Sequence, residues 1–146
     1  PAGDNTAWNV PEKAKTATDG MIANGADVIY AAAGGSGLGM FQSVKAAGAG
    51  YWAIGVDSDQ YTVPALAEYK DFILTSMLKR VDVAVYDVIA AVVNGAPLVG
   101  IQAFDLSKEG VGYSASNSAV AEYAAAADAA AAKIASGEVV VGTKVE

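Results

Sequence analysis

Apolar and polar residues alternate along this chain in segments that predict strands and helices in turn. Short apolar runs, which are typical of buried parallel strands, lie at 28–33, 51–56, 72–76 and 98–104, with a shorter run at 111–113. Segments with apolar residues at helical spacing lie at 12–24, at 79–94 and, rich in alanine, from about 117 to 136. Strands that alternate with helices predict an α/β fold, in which a parallel sheet lies between two helical layers and forms a three-layer structure.

Glycines and acidic residues follow two neighbouring predicted strands. The glycines after the first strand are Gly34, Gly35, Gly37 and Gly39. They allow a sharp turn and a close approach of the backbone to a ligand, because no Cβ intervenes. Asp57 and Asp59 follow the next strand. Since ligands of open α/β sheets bind beyond the carboxyl ends of the strands, we expect one edge of the sheet to bind a small polar molecule.

Composition excludes several classes of function. The chain has 146 residues, of which 53% are hydrophobic, so it can bury a core. Its net charge of −7 argues against binding to the nucleic-acid backbone, and we expect no nucleic-acid partner. It contains no cysteine and no histidine, which excludes thiol nucleophiles, Cys/His zinc sites and histidine bases within these residues. It also has no apolar run of about eighteen residues, so we expect no membrane span in this chain.

The start of the chain indicates that a longer protein contains it. The sequence begins at Pro1 without Met, and its opening, PAGDNTAWNVPEK, is typical of a strand end that leads into a helix. We therefore expect a front portion before Pro1, with a processed mature start as the alternative.

Four motifs in order resemble those of one family. They are GADVIYAAAGGSGLGMFQSVK, IGVDSDQ, ILTSMLKRVDVAVYDVI and FDLSKEGVGY, and they resemble the basic membrane protein family, also called PnrA-like. The resemblance implies the type I periplasmic-binding-protein fold, with residues 1–146 as the C-terminal fragment of a two-lobed protein. Residues 79–104 would then pack with the missing N-terminal lobe.

The function implied by this resemblance is transport, not catalysis. Members of the family are substrate-binding lipoproteins of ABC transporters that bind purine and other nucleosides. The resemblance therefore implies a nucleoside ligand, transporter permease subunits as partners and no cofactor. It also implies an extracytoplasmic location, with a lipid anchor in the part that precedes this chain.

The resemblance also assigns a binding site. It implies that Trp8 stacks on the base and that Gly34, Asp57 and Lys79 contact the ribose. The chemistry of these residue types agrees, because an indole face suits a flat purine. A carboxylate can accept hydrogen bonds from both hydroxyls of a ribose diol, and a lysine can donate to the same sugar.

Other interpretations of the same residues stay open. Gly35, Gly37 and Asp57 fit part of a dinucleotide-binding fingerprint, which would favour a Rossmann-like oxidoreductase, but its third glycine falls on Met40. A ligand-sensing regulator on the same fold would need a DNA-binding head, and the chain has no basic helix-turn-helix. At single positions, Trp8 is also typical of an interface aromatic. Asp59 is interpreted as a solvated loop residue or a helix cap.

Lys79 and the acidic pair have rival interpretations as well. Lys79 can pair with Asp82 on the surface of the predicted helix. Asp57 and Asp59 together suggest a carboxylate metal site, but two ligands on one loop are too few, and we expect no metal.

Overall fold

The computed structural model describes residues 5–142, which belong to two compact units. The first unit contains the chain up to Leu78 and the segment Tyr113–Val120, and the second contains Lys79–Gly112 and the chain from Ala121 onward. The chain therefore passes between the units three times. The opening PAGDNTAWNVPEK is predicted to be a strand end that leads into a helix, and its first four residues lie outside the described range.

The described residues contain four α-helices and four strands. The helices are α1 (Pro11–Ala23), α2 (Gly37–Ala47), α3 (Val81–Val93) and α4 (Ala121–Ala135). The strands are β1 (Val28–Tyr30), β2 (Trp52–Asp57), β3 (Ile73–Lys79) and β4 (Val111–Tyr113). The predicted α/β class is confirmed.

The four strands form one sheet in the order β1-β2-β3-β4. Strands β1, β2 and β3 are parallel, with Ile29 opposite Ala53 and Ala53 opposite Ile73. The segment that follows β4 runs against β3, because the Ser114 N–H donates to the Ser76 carbonyl and the Asn117 side-chain amide donates to the Ile73 carbonyl. The sheet is therefore parallel in its first three strands and has an antiparallel edge.

One predicted strand does not form. Residues Leu98–Phe104 adopt no regular structure in the described chain, although their apolar pattern is typical of a strand. A strand needs a neighbour to pair its backbone groups, and these residues have none. Val99 is 81% exposed, and the Ile101 side chain is fully exposed.

The core of the first unit lies between its sheet and the two helices α1 and α2. Buried side chains from β1, β2, β3 and α2 form one cluster, completed by a loop tyrosine, and its members are Ile29, Met40, Phe41, Val44, Ala53, Tyr69 and Ile73. Along β1 only Ile29 points into this cluster, while Val28 and Tyr30 on the other face are exposed. The cluster thus holds both helices on one side of the strands.

Gly39 lies at a close approach of α1 and α2. A Cβ at Gly39 would lie 1.9 Å from the Pro11 carbonyl oxygen and 2.6 Å from the Lys15 nitrogen. Both are backbone atoms, so no side-chain rotation can make room for it. The glycine motif therefore serves helix packing at this position, and not the approach of a ligand.

The helix α3 of the second unit exposes large apolar side chains. None of its residues is buried, and its most exposed aliphatic and aromatic side chains are Val81, Val85, Tyr86, Ile89, Val92 and Val93. Within the described residues, no helix has both the length and the apolar character needed to cross a bilayer.

The first prediction concerns Gly39. We expect Gly39→Ala to lower the free energy of unfolding by about 1–3 kcal/mol, because the added methyl forces two backbones apart. Gly37→Ala is the matched control: a Cβ there meets nothing within 4 Å, so it should change stability by no more than about 1 kcal/mol, in the favourable direction. Urea unfolding of both variants measures this, and equal midpoints would contradict the packing role.

Candidate ligand-binding site

Three of the four residues assigned to the site from sequence, Gly34, Asp57 and Lys79, lie at or beyond the carboxyl ends of parallel strands. Gly34 follows β1, and Asp57 is the last residue of β2. Asp57 stands opposite Leu78 in the register of β2 and β3, so Lys79 is the next residue along β3. The carboxyl ends of parallel strands meet at one edge, where ligands of α/β folds bind.

Trp8 lies directly against the glycine loop. It belongs to the 3₁₀ turn Asn5–Asn9 and its residue is 55% exposed. A Cβ at Gly34 would lie 3.5 Å from the Trp8 carbonyl oxygen and 3.6 Å from Cε3 of its ring. A Cβ at Gly35 would lie 3.2 Å from the same oxygen. The structure therefore brings Trp8 and Gly34 together and leaves much of the indole accessible.

Ser36 is a site residue that sequence reasoning missed. Its residue is 3% exposed, and its hydroxyl donates to the Ala7 carbonyl and accepts from the Val10 N–H, each at 2.7 Å. A serine just before a helix is expected to cap that helix, but Ser36 makes no capping bond to α2. The signal was its position inside GGSG, and the partners could be found only from the fold.

A cleft of about 320 Å³ adjoins this turn. Its walls are mostly small and apolar, and the lining residues are Thr6, Ala7, Val10, Lys13, Ala14, Ala33 and Ser36. The cleft shares Ala7, Val10 and Ser36 with the hydrogen bonds just described. It is therefore part of the same surface and not a separate site.

Asp57 has a left-handed backbone, with φ of 69°. Left-handed backbone is uncommon for residues other than glycine, although Asp and Asn adopt it more readily than most. The loop after it folds back on β2, because the Gln60 side-chain oxygen accepts from the Val56 N–H and the Gln60 N–H donates to Ser76 Oγ. A Cβ at Gly55 would lie 2.5 Å from both side chains. The backbone conformation at the end of β2 thus fixes the point from which the Asp57 side chain extends.

Asp59 differs from its interpretation as a solvated residue or cap. It is half-buried, and one carboxylate oxygen accepts a hydrogen bond from Ser116 Oγ. Its other oxygen, Oδ1, is buried without a hydrogen-bond partner among the described residues, and it makes no side-chain cap to the turn that follows. Asp59 therefore ties the acidic loop to the segment after β4.

Asp82, the rival partner suggested for Lys79, is held by Arg80. The Arg80 guanidinium donates to both oxygens of Asp82, from Nη2 at 2.8 Å and from Nε at 3.0 and 3.1 Å. These hydrogen bonds lower the pKa of the Asp82 carboxyl from its ordinary value. No cluster of three or more acidic side chains placed to hold a metal ion occurs within residues 5–142.

Sequence comparison identifies similar proteins. The profile of the family described as ABC transporter substrate-binding protein PnrA-like matches residues 4–144. The chain is 35% identical over 113 residues to the CD4+ T-cell-stimulating antigen of Listeria monocytogenes, a match that covers 70% of the chain and 32% of that protein. It is 37% identical over 89 residues to the ABC transporter nucleoside-binding protein BmpA of Lactococcus lactis, covering 52% and 24%. An uncharacterized lipoprotein of Pyrococcus abyssi is 41% identical over 98 residues, covering 64% and 23%.

Solved structures share the fold. The chain matches an ABC transporter solute-binding protein from Aeropyrum pernix with a TM-score of 0.68 and 28% identity, over 95% of the chain and 46% of that protein. A transcriptional activator of the comK gene from Bacillus halodurans matches with a TM-score of 0.75 and 22% identity, over 92% and 46%, which shows likeness of fold alone. The chain thus spans about a third of the Listeria protein and less than half of these solved chains.

A second prediction follows from the backbone of Asp57. Asp57→Ala should lower the free energy of unfolding by about 1 kcal/mol relative to Asp57→Gly, because alanine pays for a left-handed conformation that glycine adopts freely. Asp57→Asn should resemble the parent, since asparagine tolerates this conformation. Urea denaturation of the three variants measures the differences, and an alanine variant as stable as the glycine variant would contradict the strained backbone.

Proposed function

The chain belongs to the PnrA-like family of ABC transporter substrate-binding proteins, and from this membership we propose that the complete gene product captures a purine nucleoside for transport. The family is a transport component, and its role is to bind a substrate. The observation that carries the proposal is the exposed Trp8 beside the glycine loop, at the sheet edge where Asp57 ends its strand.

Trp8 is the proposed contact to the base. An accessible indole offers a large flat apolar face, and stacking of a base on an aromatic side chain contributes about 1–3 kcal/mol. Stacking tolerates any base, so it supports a nucleoside and does not select one purine. We assign the base preference to parts of the protein outside this chain.

Asp57, Lys79 and Gly34 are the proposed contacts to the ribose. The Asp57 carboxylate can accept from the 2′- and 3′-hydroxyls together, which is a pairing that a vicinal diol provides. Lys79 follows the register partner of Asp57 and can donate to the same sugar. Gly34 has no side chain, so a ligand can approach its backbone closely.

The partners and the location follow from the same proposal. We expect permease subunits of an ABC transporter to recognise the ligand-bound protein outside the cytoplasm. A lipid anchor would lie in sequence that precedes this chain, as the naming of the Pyrococcus relative as a lipoprotein supports.

The exposed face of α3 supports a second lobe in the complete protein. We propose that the N-terminal lobe covers residues 79–104, since large apolar side chains along α3 are exposed in this chain. A contiguous apolar surface of this kind usually marks an interface. The partial coverage of the solved relatives is consistent with that interpretation.

Titration calorimetry of the complete gene product tests the nucleoside proposal. We expect adenosine, guanosine or inosine to bind tightly, with no binding of NAD and weak or no binding of free ribose. Asp57→Asn should weaken nucleoside binding about ten- to a hundredfold, because a charge-assisted hydrogen bond contributes about 1.5–3 kcal/mol. Its urea midpoint is the control and should stay at the parent value.

The alternatives give different results in the same titration. Binding of NAD without nucleosides would overturn the proposal in favour of the oxidoreductase. Binding of free ribose alone would favour a sugar-sensing regulator. Nucleoside binding that Asp57→Asn leaves unchanged would refute the ribose contact but keep the transport role.

A separate prediction tests whether the N-terminal lobe covers the exposed side chains of α3. Ile89→Asp should leave the isolated chain about as stable as before, because Ile89 is 59% exposed there. In the complete gene product the same variant should lower the unfolding free energy by several kcal/mol, since an unpaired charge would then be buried. Equal, small effects in both proteins would show that no lobe covers this face.

A further inference from the structure

We propose that residues 34–36, the GGS segment, form a seat that positions Trp8, and that Ser36 is a positioning residue for ligand binding. The seat is defined as Gly34, Gly35 and Ser36. Its role is to hold the aromatic side chain before a ligand arrives. The effect on binding rests on the proposed function, whereas the effect on Trp8 itself does not.

The hydrogen bonds of Ser36 fix the backbone on both sides of Trp8. Its hydroxyl donates to the carbonyl of Ala7, one residue before Trp8, and accepts from the N–H of Val10, two residues after it. Both distances are 2.7 Å, and Ser36 is buried. Loss of this hydroxyl would leave two polar backbone groups without that partner, so the Trp8 turn would lose two hydrogen bonds to the loop and be held less firmly.

Both glycines of the seat lie against the Trp8 turn, and Gly35 packs the more tightly. A side chain at Gly34 would touch the Trp8 carbonyl and ring, and a side chain at Gly35 would lie 3.3 Å from the Asn9 side-chain oxygen and 3.2 Å from the Trp8 carbonyl. A Cβ at Gly37, by contrast, meets nothing within 4 Å. Gly35 is therefore the glycine whose lack of a side chain matters for the packing of the Trp8 turn, whereas a Cβ at Gly34 would make only ordinary van der Waals contacts with Trp8.

An aromatic residue held in advance binds more tightly than a mobile one. Ordering a large side chain upon binding costs free energy that reduces the affinity, and a prepositioned side chain avoids that cost. Trp8 remains about half exposed, although the hydrogen bonds of Ser36 hold its turn in place. This arrangement suits a flat ligand that stacks on the indole.

Ser43 provides a matched control for Ser36. It is equally buried but lies within α2, the helix that follows Ser36, and it ties α2 to α1, since its hydroxyl donates to Asp19 Oδ1 at 2.6 Å. Its hydrogen bonds go to α1, whereas those of Ser36 go to Ala7 and Val10 on either side of Trp8. Ser36→Ala and Ser43→Ala therefore both remove a buried hydroxyl and its hydrogen bonds, and only the first changes the seat.

The experiment combines ¹⁹F NMR with calorimetry on the complete gene product. With 5-fluorotryptophan incorporated, the Trp8 resonance is assigned through Trp8→Phe, and Trp52 serves as an internal reference. We expect Ser36→Ala to shift or broaden the Trp8 resonance alone and to weaken nucleoside binding about three- to tenfold. Ser43→Ala should lower the urea midpoint but leave the Trp8 resonance and the affinity unchanged.

A second pair of variants protects the test against misfolding of Ser36→Ala. Gly35→Ala keeps every hydrogen bond of Ser36 but places a methyl against the Trp8 carbonyl, so it should move the Trp8 resonance, whereas Gly37→Ala should not. An unchanged Trp8 resonance in both Ser36→Ala and Gly35→Ala would overturn the seat. Equal losses of affinity in Ser36→Ala and Ser43→Ala would overturn the positioning role as well.

Failure of the proposed function gives a distinct result. If the parent protein binds no nucleoside, the calorimetry refutes the function while the Trp8 resonance still decides whether the seat exists. If the parent binds and Ser36→Ala shifts the resonance without loss of affinity, the seat exists but does not serve binding, and the positioning role is wrong.

Discussion

The close approach of α1 and α2 at Gly39 determines the geometry of the candidate site. The contact lies near the first turn of both helices, where the backbone of Pro11 and Lys15 occupies the space of a side chain. Because the helix starts are held side by side, the segments that lead into them also meet. These segments are the Trp8 turn and the seat formed by residues 34–36, and Ser36 joins them through two hydrogen bonds. In this part of the chain, the packing of the two helices therefore also sets the geometry of the candidate site.

The other half of the site depends on the end of β2. There the backbone of Asp57 turns left-handed, and Gln60 and Ser76 close the loop with hydrogen bonds. The two halves rest on adjacent parallel strands, which hold them at fixed positions along one edge. An aromatic surface in a 3₁₀ turn and a carboxylate at the end of a strand are therefore both held by regular structure.

The sequence predicted well what depends on local periodicity and strand ends. The alternation of strands and helices gave the fold class, and the rule on carboxyl ends placed Gly34 and Asp57 at the same edge. Prediction from the sequence failed where the local structure or the role of a residue depends on a partner far away along the chain. Leu98–Phe104 has the pattern of a strand but no neighbour to pair with. Ser36 was missed, because its partners lie 26 and 29 residues away.

The segment Tyr113–Val120 has a consequence for the order in which the protein folds. It supplies the hydrogen bonds that complete the edge of β3 and hold Asp59, and Ser116 lies 57 residues after that aspartate. Contacts this distant in sequence form slowly and only after the intervening chain exists. During synthesis at about 5–20 residues per second, this segment is made several seconds after the rest of the first unit. The edge of β3 stays open in the nascent chain for that interval and is exposed to pairing with other strands.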